Sequence, residues 1–133
     1  MDKKDIESRE DLLFLLRAFY DKAVYDDVIG HFFTKVIPLD MAEHIPVIAD
    51  FWETVLLNGS SYKKNAMIPH IHIHQLSPME ERHFKRWLEL FCGTVDTYFA
   101  GETAERAKQR AKSIAAVMQL KVSNSNPLNV VNR

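Results

Sequence analysis

His70-Ile71-His72-Ile73-His74 places three imidazoles two residues apart, the most chemically suggestive pattern in the chain. What it can do depends on the backbone beneath it. On a strand, a period of two aims all three rings at one face, and three histidines make a catalytic zinc site. On a helix, residues two apart point nearly opposite ways and residues four apart share a face, which pairs His70 with His74 and turns His72 away. The surrounding segments read as helical, so the second geometry is favoured. A metal-binding helical protein built on His70, His72 and His74 stays open as an alternative.

Tyr20 and Trp87 carry the next chemistry. Tyr20 lies on an apolar helical stripe, and a buried hydroxyl without a partner costs about 1–3 kcal/mol. It therefore needs an internal acceptor or a ligand, and the indole N–H of Trp87 poses the same problem. The plain alternative for each is a backbone carbonyl. His44 sits near a helix start beside Glu43, a position for a half-exposed polar residue. His31 and His83 flank turns or face outward and read as surface residues. Cys92, alone among apolar neighbours, reads as a small buried hydrophobe. Phe33, Ile48, Phe51, Trp52, Val55, Met67, Phe84, Leu88 and Phe91 can line an apolar slot or simply pack a core. No nucleophilic triad, glycine-rich phosphate loop or paired-cysteine metal site is visible.

These residues must be positioned by helices. Four glycines and five prolines punctuate the sequence, and strand alternation is nearly absent. A first helix opens near Ser8, with Asp11 at capping-box spacing, and carries Leu12, Leu13, Leu16, Phe19, Tyr20 and Ala23 on one stripe. Asp26, Asp27 and Gly30 end or bend it, and Phe32, Phe33, Val36 and Ile37 suit a short helix or turn before Pro38. Asp40 and Glu43 open a second long helix with His44, Ile48, Phe51, Trp52 and Val55 on one side, and Pro46 is tolerated as part of its first turn. Asn58 and Gly59 stop it. After a looser stretch, Ser77 as cap, Pro78 as first helical residue and Glu80 begin a third, with Phe84, Trp87, Leu88, Phe91, Val95 and Tyr98 inward. Thr103 begins the last, with Ala107, Ala111, Ile114, Ala115 and Met118 inward. The reading is an all-α domain over 1–122 and a flexible polar tail over 123–133.

Length and composition agree with one self-sufficient domain. The 133 residues are 47% hydrophobic and 26% charged, with a formal net charge of −1. A nucleic-acid partner calls for a basic face, and none is visible. No apolar run approaches the roughly 20 residues that span a bilayer, and a single cysteine cannot form an internal disulfide. A cytoplasmic location is expected, with no membrane partner.

Five of these pieces, in order, resemble the truncated haemoglobins, most closely their third group, over roughly residues 10 to 120. They are Phe19-Tyr20; Gly30-His31-Phe32-Phe33; His44-Ile45-Pro46 followed by Phe51-Trp52; Tyr62 through Asn65-Ala66-Met67-Ile68-Pro69-His70; and His83-Phe84-Lys85-Arg86-Trp87-Leu88-Glu89-Leu90-Phe91. Two features depart from the pattern. Ala66 stands where the family often has proline, and two further histidines follow His70.

The resemblance implies a truncated globin of two helices crossing two, with haem b between them. It makes His70 the proximal iron ligand, with His74 as the alternative. Phe33, Ile48, Phe51, Trp52, Met67 and Phe84 become contacts of the porphyrin. Tyr20 and Trp87 become hydrogen-bond donors to a diatomic gas (oxygen, carbon monoxide or nitric oxide), with His44 beside them as a gate, a third donor or a second iron ligand. Oxygen transport, sensing, nitric oxide dioxygenase and peroxidase-like chemistry all use such a pocket. The chemistry would need an external reductase, and the protein is expected to be a monomer or weak dimer. A helical interaction module without a cofactor ranks last.

Overall fold

The computed structural model describes residues 3–36, 40–57 and 79–124. Among the described residues there are four α-helices and one π-helical turn: α1 (Arg9–Ala23), the π-turn (Phe32–Val36), α2 (Met41–Leu56), α3 (Glu81–Tyr98) and α4 (Glu102–Asn124). Helix α1 packs on α2 and α3, α3 packs on α4, and α2 reaches α4. This is the all-helical two-over-two sandwich expected from the sequence.

Local chemistry starts α1 as the sequence implied. Ser8 caps it, its hydroxyl accepting from the N–H of Asp11 at 3.3 Å. The Asp11 carboxylate reaches back one residue further than a capping box requires, to the N–H of Glu7 at 2.9 Å. The buried stripe is Leu12, Leu15, Leu16, Phe19, Tyr20 and Ala23. Leu13, expected on it, lies at the edge and is only partly buried.

Asp26 holds the turn after α1. Its carboxylate accepts from the N–H groups of Val28 and Ile29 and from Arg86 of α3, the last at 2.8 Å. Burial works against its charge, but Arg86 and the two N–H groups outweigh that and keep its pKa below the usual carboxylate value. Gly30 is needed where the chain doubles back, because a Cβ there would meet the carbonyl oxygen of Val24 at 2.7 Å.

In α2, Asp40 caps the N–H of Ala42 at 3.0 Å. Pro46 is the sixth helical residue, not part of the first turn as expected. It is tolerated because its side is exposed, where the carbonyl it leaves unmatched, that of Ala42, also lies. The Pro46 carbonyl accepts from Arg9, which also pairs with Asp50 and Glu53 and so ties the start of α1 along α2.

Helix α3 begins later than expected. Glu80 is its N-cap, so Glu80 closes no box with Ser77. Ser77 and Pro78 lie outside the described residues. The residue at the third helical position is His83, whose Nδ1 accepts the Glu80 N–H at 2.8 Å.

Helix α4 is capped from far away in sequence. Asp5 accepts the N–H groups of Thr103 and Ala104 at 2.9 and 2.8 Å, and Gly101 at φ 141° leaves room for that carboxylate. Burial disfavours the Asp5 charge, yet these N–H groups and that of Ile6 prevail and lower its pKa. Replacing Asp5 by Ala is expected to cost about 1–2 kcal/mol in a urea melt at pH 7. A carboxylate with a depressed folded-state pKa stabilises above its unfolded value. The difference between the two proteins should therefore fade as the pH drops below about 4.

The core is continuous from α1 to α4. Phe19 and Phe91 are buried at its centre, and Ala104, Ala107 and Ala111 allow α4 to approach closely. A smaller cluster of Phe84, Ala115, Met118 and Val122 extends it toward the end of α4. Cys92 is partly exposed rather than fully buried, and burial still pushes its thiol pKa up.

Candidate functional site

Tyr20 projects from the last full turn of α1 into the space under α2, where its hydroxyl shares a 2.9 Å hydrogen bond with Nε2 of His44. The tyrosine ring is packed edge-on by three others: Phe19 at 4.9 Å, His44 at 5.2 Å and Phe33 at 5.6 Å. Burial raises the Tyr20 pKa well above its usual value, so the hydroxyl keeps its proton and remains a donor. Residues 24 apart in sequence thus form one polar pair inside an aromatic pocket.

The pair has two protonation patterns. With Nε2 unprotonated, Tyr20 donates to His44. With the proton on Nε2, His44 donates to the tyrosine oxygen, and the tyrosine O–H is released toward a third group. The second pattern makes Tyr20 a donor whose oxygen is itself supported.

Helix α2 presents two apolar stripes side by side. Ile45, Ala49, Trp52 and Leu56 are buried in the core. His44, Ile48, Phe51 and Val55, at steps of four, three and four, are only partly buried. Trp52, expected with the second set, belongs to the first, and its ring stacks on Phe91 at 5.0 Å and 15°. Phe33 of the π-turn and Trp87 and Leu88 of α3 are likewise packed on the core but partly exposed. Partly covered apolar side chains from three elements, with a polar pair among them, suit a flat apolar ligand with one polar point.

Trp87 lies flat on Phe91 at 5.5 Å and 12°, with its edge toward Phe19 at 6.3 Å. Phe19 therefore touches both Tyr20 and Trp87 and fixes their relative position. Of the residues singled out from the sequence, the structure brings Tyr20, His44 and Phe33 into contact. It joins Trp87 and Trp52 through Phe19 and Phe91. Phe84 sits apart, against α4. His70, His72, His74 and Met67 lie outside the described residues. Among the described residues, no group of three His, Cys, Asp or Glu side chains is arranged to hold a metal ion.

Two expectations are overturned nearby. His83 is not a surface residue but is buried, 4% exposed. His31 is partly buried, its ring 4.1 Å from that of Phe32. Sequence reading placed Asp26 at the end of the first helix and missed its ion pair with Arg86. The hint was a pair of acids, Asp26 and Asp27, at a helix end, a pattern that surface turns share.

No family model matches the chain. A curated relative, a group 3 truncated hemoglobin of Campylobacter jejuni, is 28% identical over 115 residues, which cover 84% of this chain and 88% of the relative. The crystal structure of a group III truncated hemoglobin from Campylobacter jejuni superposes with a TM-score of 0.77 at 27% identity, covering 92% of this chain and 95% of that one. Among the described residues, no helix is long and apolar enough to cross a membrane.

Proposed function

We infer that the chain belongs to the group III truncated haemoglobins, and from that premise we propose that it is a haem protein that binds a diatomic gas. When bound, haem supplies an iron atom able to take oxygen, carbon monoxide or nitric oxide as a ligand. The observation that carries the reading is the Tyr20–His44 hydrogen bond, set among partly covered apolar side chains of α2, α3 and the π-turn. A buried hydroxyl kept protonated and backed by an imidazole suits a polarised gas molecule better than it suits a dry core.

The residues divide the work. Ile48, Phe51 and Phe33 would hold the porphyrin faces and keep water out, and Met67 would join them. His70 would bind iron, its second ring nitrogen donating to a carbonyl or water that fixes the ring. The lone Cys92 leaves no paired thiols for covalent attachment, which supports a non-covalent haem b. Tyr20 and Trp87 would donate to the gas, and His44 would hold the Tyr20 oxygen. Each such donor contributes about 1–1.5 kcal/mol, close to tenfold in escape rate. Tight retention suits oxygen-dependent oxidation of nitric oxide, peroxide chemistry or sensing, with electrons from a separate reductase, better than oxygen delivery.

The direct test is an absorption spectrum of the purified protein, reduced with and without carbon monoxide. A strong Soret band that shifts with carbon monoxide is expected, and a colourless protein that takes up no added haem overturns the proposal. Replacing Tyr20 by Phe should speed oxygen release about tenfold in stopped-flow. An unchanged rate removes Tyr20 from the gas site.

A further inference from the structure

His83 is buried at the start of α3, and its two ring nitrogens differ sharply. Nδ1 accepts the Glu80 N–H, so the proton of the neutral ring belongs on Nε2. Nε2 is buried and is the one buried side-chain polar atom without a hydrogen-bond partner among the described residues. The ring faces two side chains from the segment leading through the π-turn: Phe32 at 4.9 Å, edge-on, and His31 at 5.8 Å. No hydrogen bond joins the two rings as they stand, and His31 is the side chain with a ring nitrogen that lies against His83 and could accept from Nε2. A metal ion bridging the rings is the wrong chemistry, because a metal-bound histidine normally donates through its other nitrogen and here that nitrogen accepts.

We propose that His83 and His31 form a proton-sensitive latch that pins the π-turn to α3 and so holds Phe33 against the Tyr20–His44 pocket. The two consecutive phenylalanines connect latch and pocket: Phe32 packs on His83, and Phe33 packs on Tyr20. Isolated π-turns of this kind are common at functional sites. Acid opens the latch at His83. A proton on His83 must enter at Nδ1, displacing the Glu80 N–H that starts α3.

The charged groups around His83 agree. On its own helix Arg82 opposes a proton and Glu80 favours one, but Glu80 is paired with Arg82; from the π-turn side His31 opposes it. Burial is the largest influence, and together these hold the His83 pKa below the ordinary histidine value. A histidine kept neutral by folding stabilises fully above about pH 6.5, and that contribution is lost as the pH falls below it.

The effect on the pocket rests on the haem reading, whereas the latch itself does not, and the experiment separates them. Ring nitrogen NMR, on the protein as purified and in its carbon-monoxide form if it carries haem, should show His83 with its proton on Nε2 at pH 8. As the pH is lowered below about 6.5 both its nitrogens should become protonated, and Phe33 and Tyr20 signals should move in the same step. Replacing His83 by Gln keeps the helix start, because a Gln at that position accepts the same N–H, and removes the titration. In the haem-loaded protein, haem transfer to excess apomyoglobin should accelerate about tenfold more in the parent than in His83→Gln as the pH is lowered. Acid weakens the iron–histidine bond in both, so only the difference reports the latch. Replacing His31 by Phe should shift the His83 titration; if it does not, the Nε2 proton merely rests on the Phe32 ring and the latch is refuted. Equal pH dependence in parent and His83→Gln refutes it as well. Should the protein take up no haem, the NMR step still decides the latch, and only the gas-site reading fails.

Discussion

Replacing His70 by Ala is expected to leave the purified protein without its Soret band and unable to retain added haem. A globin haem is held through a single proximal protein ligand, the role proposed for His70. Losing even an outer partner of a metal ligand costs roughly 10–100-fold in affinity, and losing the ligand itself must cost more. Because His70 lies outside the described residues, the assignment rests on its place in the Asn65–His70 segment, and the crowded tract around it calls for a paired measurement. His74→Ala should keep the band, and His72→Ala likewise. Loss of the band in His74→Ala but not in His70→Ala would move the iron bond to His74. A colourless parent protein carrying zinc stoichiometrically, and losing it in all three variants, would instead revive the three-histidine metal site. The sequence expectation of a helical tract weighs against that, since a helix would separate His72 from the other two.

The sequence was most legible where a rule acts within a turn or two of helix. Ser8 as a cap and Leu12, Leu16, Phe19, Tyr20 and Ala23 as one stripe follow from local hydrogen bonding and 3.6-residue spacing. The exchange of Leu15 for Leu13 on that stripe shows the limit, because the neighbours of α1 decide where the stripe's edge falls. Ser77-Pro78-Met79-Glu80 spells a helix start by the same local rules, yet α3 begins after Glu80. There His83 supplies the reciprocal bond through a ring nitrogen, a partner that residue type does not announce.

Contacts across the fold were less accessible. The Tyr20–His44 bond joins residues on two helices, and only the resemblance to a known family placed them together. Asp5 caps a helix 98 residues onward, and Asp26 meets Arg86 across 60 residues. An acid near a chain start or in a turn looks the same whether solvated or committed, so nothing in the residue string distinguishes these two. Trp52 was misplaced for a related reason. On a helix apolar along two adjacent stripes, spacing says that both are covered but not which one meets the core.

That core stack gives the second large effect. Phe91→Ala is expected to destabilise the fold by about 3–5 kcal/mol, a substantial part of the roughly 5–15 kcal/mol that a domain of this kind possesses. Phe91 is 1% exposed and lies between two indoles, with Trp52 parallel at 5.0 Å and Trp87 parallel at 5.5 Å, while Phe19 meets it edge-on at 5.7 Å. Three large rings held at fixed angles by one another cannot collapse into the void, so the cavity penalty adds to the lost burial. Phe91→Leu refills most of that volume and should cost under about 1.5 kcal/mol. Urea melts of the two variants measure both values. Equal losses would mean that the ring contacts, which Leu lacks as much as Ala does, carry the whole effect and that refilling the volume contributes nothing. The substitution also reaches the proposed gas site without touching it. Trp87 rests flat on Phe91, and freed from that support its indole loses the orientation that directs its N–H. In Phe91→Leu, which should fold, oxygen release should therefore quicken toward the rate of a Trp87→Phe variant. A release rate that matches the parent would show that Phe19 and α3 alone hold Trp87 in place.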